Sequence, residues 1–339
     1  MAQTVGDFFW QRLHGWGVRR VFGYPGDGIN GLLGALNRFD GEMEFIQVRH
    51  EEMAGLCATA HAKFTGEVGF CLATSGPGAV HLLNGLYDAR GDHMPVVALV
   101  GQQARAAMGS HYQQDLDLQS LFKDVAGAFV ATATLPNQVP HLIDRAWRIA
   151  KAERRVTCVI LPNDLQNEPM EMPPREHGST FSGAGLAQTV PVPTEASLRA
   201  AAEVLNAGEK VAILVGAGAI GAAAEVTEVA EILGAGVAKA LLGKTALPDD
   251  LPWVTGSMGF LGTPASDALM KGCDTLLWVG SVCMAISLAL VTWAFATGGL
   301  AGNSLLLPPG LRPGPGHGEA GATDGTIRFG WVRERLRVL

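Results

Sequence analysis

Four short stretches carry residues able to do chemistry. In Val48-Arg49-His50-Glu51-Glu52-Met53-Ala54, Glu51 stands between an apolar run and an Ala-rich helical run. A carboxylate at a helix N-terminus is stabilised as an anion, although an acid there is by itself only a helix-start signal. Gly23-Tyr24-Pro25-Gly26-Asp27-Gly28 and Thr74-Ser75-Gly76-Pro77-Gly78 are tight loops that each follow a strand-like run. Gly216-Ala217-Gly218-Ala219-Ile220-Gly221 spells G-x-G-x-x-G between a strand and a helix, which raises dinucleotide binding. An NAD site also wants an acid at the end of the next strand, and Gly236-Val237-Ala238-Lys239 ends in Lys239 instead. A glycine turn that merely allows close helix–strand packing remains an equal reading. His50 and His81 are read as structural hydrogen-bonders, and Arg49 and Glu52 as ion-pair or subunit-contact residues.

The elements that must position these residues alternate. Helical spacing over Val5 to Trp16 precedes a strand from Val18 to Gly23, and the run Ile29 to Leu36 precedes a strand at Phe45 to Val48. Helix Met53 to Phe64, strand Val68 to Ala73, helix Ala79 to Ala89 and strand Pro95 to Val100 follow. Helix Pro140 to Lys151 then leads into the strand at Thr157 to Leu161. Strand–helix alternation predicts α/β domains with doubly wound parallel sheets. Ligands then bind outside the carboxyl ends of the strands, so the junctions at 23–28, 49–52 and 74–78 should share one edge.

Composition excludes several classes. The chain has 339 residues, 17% charged, and carries 25 basic against 32 acidic residues, for a net charge of −7. That balance offers no basic footprint for nucleic acid. Cys57, Cys71, Cys158, Cys273 and Cys283 are scattered without a paired spacing, so neither zinc nor disulfides are expected. A reducing cytoplasm follows, and the Met1-Ala2-Gln3-Thr4 start lacks the pattern of a secretory signal.

Read in order, Gly23-Tyr24-Pro25-Gly26-Asp27, Arg49-His50-Glu51-Glu52, Thr74 to Gly78 with Asn84-Gly85, and Tyr112-Gln113-Gln114-Asp115 form a set. Together they resemble the N-terminal, pyrimidine-binding domain of thiamine-diphosphate enzymes. Pyruvate oxidases and quinone-dependent pyruvate dehydrogenases are the nearest kinds, with acetolactate synthases close behind. The resemblance implies that Glu51 is the family's catalytic glutamate, which hydrogen-bonds the cofactor's pyrimidine ring and promotes its imino form. The imino nitrogen then removes the thiazolium proton, so the hard chemistry belongs to the cofactor. A largely buried carboxylate suits that task. Pro25, Gly26, Thr74, Gly76, Pro77, Gly78 and Asn84 would line the pocket, and Gln114 matches a glutamine that reaches the active site. Gln113 stands where an aromatic is usual and Asp115 where Glu is usual, which bears on substrate preference.

The implied domains are 1–167 for pyrimidine binding, a proline- and glycine-bearing linker at 168–193, and an incomplete middle domain at 194–281. The middle domain of pyruvate oxidases holds FAD. The likeness places Gly216, Ala217, Gly218, Lys239, Gly243, Gly259 and Gly262 along that cofactor. The resemblance is expected to stop at Ser281, leaving residues 282–339 as a tail unlike the family. Their apolar run, continuous with Leu276 to Thr297, is long enough for a membrane span, but it begins inside a family strand. A divergent tail, as a frame shift or truncation would produce, is the preferred reading, and a membrane is not expected.

The family holds the cofactor's diphosphate through Mg²⁺ in a C-terminal domain, using Gly-Asp-Gly and a downstream Asn pair. Gly26-Asp27-Gly28 spells the first part but lies in the N-terminal domain, and no Asn pair follows it. No metal ligands are therefore assigned. The expected activity is decarboxylation of pyruvate or a related 2-oxo acid, with electrons passing to FAD and then to quinone or oxygen. The alternatives are an acetolactate synthase-like carboligase and a non-catalytic remnant or cofactor half-site subunit. A complete enzyme would be a homodimer or tetramer.

Overall fold

The computed structural model describes residues 3–41, 43–171 and 192–281. The chain divides into two compact units, Met1–Val190 and Pro191–Leu339. Most of the expected linker, the divergent tail, the apolar run as far as Thr297 and the basic closing run lie outside the described residues.

The first unit begins with α1 (Val5–Gly15), which the side chain of Thr4 caps. Its hydroxyl accepts from the Asp7 amide at 3.1 Å while the Asp7 carboxylate accepts from the Thr4 amide at 3.0 Å. The chain continues through β1 (Arg20–Gly23), α2 (Asn30–Arg38), β2 (Glu44–Gln47), α3 (Glu51–Thr65), β3 (Gly69–Ala73) and α4 (Pro77–Gly91). After β4 (Val96–Gln102) come α5 (Leu118–Phe122), β5 (Val130–Thr132), α6 (Val139–Glu153) and β6 (Val156–Pro162). The strands form one six-stranded sheet in the order β2-β1-β3-β4-β6-β5, and every pairing is parallel.

Strands β3, β4 and β6 are buried along their whole length. That is why they read as continuous apolar runs rather than alternating ones. The pleat sends neighbouring side chains to opposite faces. Phe70, Leu72, Val97, Leu99, Val159 and Leu161 pack with α1, α2 and α6. Cys71, Ala73, Ala98, Val100, Cys158 and Ile160 pack with α3, α4 and α5. Covering both faces is what a doubly wound fold requires.

The second unit contains α7 (Glu195–Asn206), β7 (Val211–Val215), α8 (Ala223–Leu233), β8 (Gly236–Lys239), β9 (Val254–Ser257), α9 (Pro264–Gly272) and β10 (Thr275–Val279). Its four strands run parallel in the order β10-β7-β8-β9. The expected class, tandem doubly wound α/β domains, is the observed one. Four elements, α5, β5, β9 and α9, are not expected from the sequence: α5 has five residues, β5 three and β9 four, too few to show a period, and α9 has nine residues, only about two and a half turns. For α9 a signal was present, since Thr263 caps the helix by accepting from the Ser266 amide and Pro264 follows it. Among the described residues no helix is long and apolar enough to cross a membrane.

Candidate active site

In the first sheet β1 lies between β2 and β3. The chain leaves β1 toward one edge and returns for β3 on the other side, so the loops after β1 and β3 flank a topological switch point. The two loops pack closely there. The Gly28 amide donates to Thr74 Oγ1 at 2.8 Å, and a Cβ on Gly26 would come within 2.6 Å of the Thr74 side chain. Gln166, fully buried, clamps the first loop: its Nε2 donates to the carbonyls of Gly28 at 2.7 Å and Leu161 at 3.0 Å. Its Oε1 accepts from the Leu32 amide at 3.1 Å.

Glu51 is the first residue of α3 and is 8% exposed. Its two carboxylate oxygens face different neighbours. Oε2 lies 3.0 Å from His81 Nδ1 on α4, whereas a Cβ on Gly78 would sit 3.2 Å from Oε1. Glycine at 78 therefore leaves room beside Oε1 that any other residue would fill. His50 caps α3, its Nδ1 accepting from the Glu52 amide at 3.3 Å, and its ring stacks on that of His81 with centroids 4.4 Å apart. Helices α3 and α4 are locked together by glycines: a Cβ on Gly85 would meet the Leu56 amide nitrogen at 2.5 Å. Thr59 Oγ1 reinforces the crossing by donating to the carbonyls of Gly55 at 2.9 Å and Gly85 at 3.2 Å.

Gly76 takes a left-handed φ of 61° and packs on Gln114, whose own φ is 62°. The Ser75 hydroxyl donates to Gln114 Oε1 at 3.4 Å and accepts from Gln103 Nε2 at 3.1 Å. The fold thus brings Gly26, Glu51, Thr74, Gly76, Gly78 and Gln114 to one edge, with Pro25 half-buried in the first loop. Asn84 is exposed on α4, where its amide donates to the Glu52 carboxylate rather than toward Glu51. The polar residues that hold this edge but were not singled out are Ser75, Gln103 and Gln166. Ser75 lies within the Thr74–Gly78 loop, while Gln103 and Gln166 lie in segments without motif or period.

The second unit has its own switch point, between β7 and β10. Gly216, Gly218 and Gly280 meet there; a Cβ on Gly216 would lie 2.4 Å from the Gly280 carbonyl oxygen. Gly243 packs on the same turn, 2.7 Å from Gly216 Cα by the same measure, and Ala217 opens the short turn that follows β7. The Lys239 side chain is buried, its ammonium donating to the Leu247 carbonyl at 2.8 Å and pairing with Asp249. Lys244 also binds Asp249, and hydrogen bonds from the two lysines lower the Asp249 carboxyl to about 2. Gly259 and Gly262 make the turn after β9, and beside it Phe260 is completely exposed.

A family model of the thiamine pyrophosphate enzyme N-terminal TPP-binding domain matches residues 3–121, and that of the central domain matches residues 198–296, so the family match runs past Ser281, where the resemblance was expected to stop. The chain belongs to the thiamine pyrophosphate enzymes. It is 36% identical over 279 residues to a putative thiamine pyrophosphate-containing protein, YdaP, of Bacillus subtilis, covering 82% of this chain and 48% of that one. Pyruvate oxidase of Lactiplantibacillus plantarum is 35% identical over 79% of this chain and 44% of its own. Acetolactate synthase isozyme 2 large subunit of Escherichia coli is 33% identical over 79% and 48% respectively. The chain therefore spans about half the length of these curated relatives.

Proposed function

We propose that the first unit holds the aminopyrimidine half of thiamine diphosphate, with Glu51 bonding the ring, as part of a pyruvate oxidase-like 2-oxo acid decarboxylase. The observation that carries this reading is the placement of Glu51: a nearly buried acid at the switch point, whose Oε1 faces the Cβ-less Gly78. A flat heteroaromatic ring needs a carboxylate partner and walls without side chains. Glu51 is the first, and Gly26, Gly76 and Gly78 are the second. When bound, thiamine diphosphate supplies the electron sink that lets a 2-oxo acid lose carbon dioxide.

Each residue then has a task. Glu51 holds or releases a proton at Oε1, while His81 keeps Oε2 turned aside. Pro25, Thr74 and Pro77 flank the glycine walls, and the strained Gln114 reaches toward the 2-oxo acid. Asn84 sets the α3–α4 pair through Glu52. In the second unit the turns at Gly216–Gly218, Gly243 and Gly259–Gly262 would carry FAD, with the exposed Leu241, Phe260 and Leu261 as its apolar flank. FAD, when bound, accepts the electrons and yields them to quinone or oxygen. No described residue is assigned to Mg²⁺, and a homodimer or tetramer is the expected assembly.

The test starts with calorimetric titration of the purified chain with thiamine diphosphate and Mg²⁺, beside Glu51→Gln. Binding that is equal in the two would remove Glu51 from the role. Pyruvate is then added and CO₂ followed, with and without a polypeptide that supplies a family diphosphate-binding domain. Turnover is expected only with that polypeptide; turnover by the chain alone would show that the site is complete without it. Acetolactate as the product, in place of reduced flavin, would assign the carboligase reaction instead.

A further inference from the structure

We propose that His50, Glu51 and His81 form a binding site for one borderline divalent transition-metal ion, such as Zn²⁺. One donor atom from each residue lies within 4.8 Å of the other two. His81 Nδ1 and Glu51 Oε2 are already 3.0 Å apart. Two donors bound tetrahedrally to zinc at roughly 2.0–2.1 Å sit about 3.3 Å from one another. An ion between them needs this separation to open by only a few tenths of an ångström, with both side chains turned so that their lone pairs meet at the ion instead of at each other.

His50 completes the set. Its ring stacks on His81 at an interplanar angle of 29° and is held by its cap bond to the Glu52 amide. To reach the ion the His50 ring must turn from that stack, and where Nδ1 is the donor the cap bond is given up. Two imidazoles and one carboxylate make a three-ligand site with a free position for water or an anion. That donor set selects zinc, nickel or copper over magnesium and calcium, which take oxygen ligands.

The frame suits a metal because the backbone that carries the donors is fixed. His50 and Glu51 open α3 and His81 lies on α4, and the glycine crossing at Gly55 and Gly85 fixes the two helices against each other. The positive ends of both helices oppose a cation. Two carboxylates offset them, Glu51 itself and Glu52, whose Oε2 is 3.9 Å from His50 Nδ1. Both imidazoles are half-exposed, which gives the ion an entry path. The site stands on these side chains whatever cofactor the crevice holds.

The experiment uses the full, untagged chain stripped with a chelator and titrated with Co²⁺ alone, then with Zn²⁺ as competitor. The expected result is one Co²⁺ per chain, with visible bands of nitrogen and oxygen ligation that Zn²⁺ abolishes. His50→Gln and His81→Gln should each weaken binding by at least the roughly tenfold that losing even an outer-sphere partner costs. His111→Gln, at an exposed histidine elsewhere, should bind as the parent does, and far-ultraviolet circular dichroism should show all three variants folded. Three results would overturn the site: no saturable binding, affinity unchanged in both His50→Gln and His81→Gln, or sulfur-to-metal charge-transfer bands that assign the ion to cysteine.

Discussion

At the scale of single residues, the carboxylate of Glu51 is divided between two duties by its surroundings. Gly78 is the neighbour that leaves Oε1 accessible. Gly78→Ala puts a methyl group 3.2 Å from Oε1 and 2.6 Å from Thr74 Cγ2. It should lower thiamine diphosphate affinity about tenfold, equivalent to about 1.4 kcal/mol, as read by calorimetry. Asp144 shows what a buried acid does when its role is structural. It accepts from Arg12 Nε at 2.7 Å, Arg12 Nη2 at 2.6 Å and Trp16 Nε1 at 2.9 Å, tying α6 to α1. Asp144→Ala removes the acceptor shared by Arg12 and Trp16 and should cost about 1–3 kcal/mol in urea unfolding. Burial pushes the Cys71 thiol up to about 12 and raises Cys158 as well, with the Cys71 charge adding to the latter. A folded-state value above the roughly 8.5 of a free thiol means that the neutral form's contribution is complete below that pH and fades as pH climbs toward 12. Both thiols should resist an aromatic disulfide reagent at neutral pH until the chain is unfolded, and stability should decline across that alkaline range.

At the scale of elements, close packing between α3 and α4 sets the geometry of the candidate site more directly than any motif does. Gly85→Ala drives a methyl group to 2.5 Å from the Leu56 amide nitrogen and 2.8 Å from the Glu52 carbonyl oxygen. The helices must separate, at a cost of about 1–3 kcal/mol. Thermal denaturation reads the loss, and the distance from Glu51 to His81 should relax with it. The sequence suggests both helices, the first from its Ala-rich run and the second from Ala79 to Ala89. It was silent on the crossing itself, because Gly55 and Gly85 lie 30 positions apart and only the folded sheet makes them neighbours. Gln166 is a similar case. A lone glutamine past β6 has no pattern, yet its three buried hydrogen bonds tie Gly28 of the β1 loop and Leu32 of α2 to Leu161 of β6.

At the scale of the whole molecule, the first unit closes on itself. The Val5 amide donates to the Glu168 carbonyl at 2.9 Å, and Thr4 pairs with Pro169 in an antiparallel bridge. Residues 1–171 expressed alone should therefore melt as one cooperative transition; a broad, non-cooperative melt would show that this unit depends on the rest of the chain. Sequence alone determined the alternation of strand and helix, the parallel class of both sheets and the loops that share the sheet edge. Those features are written in local periods of apolar residues and in glycine and proline at strand ends. Tertiary structure decided which of the loop residues meet. It set Gly78 beside Glu51 Oε1 and His81 beside Oε2, turned Asn84 outward to Glu52, and drew the Lys239 ammonium to Leu247 and Asp249. The reason is that side-chain partners across a sheet edge depend on strand order and helix crossing, which are long-range properties that no window of sequence contains.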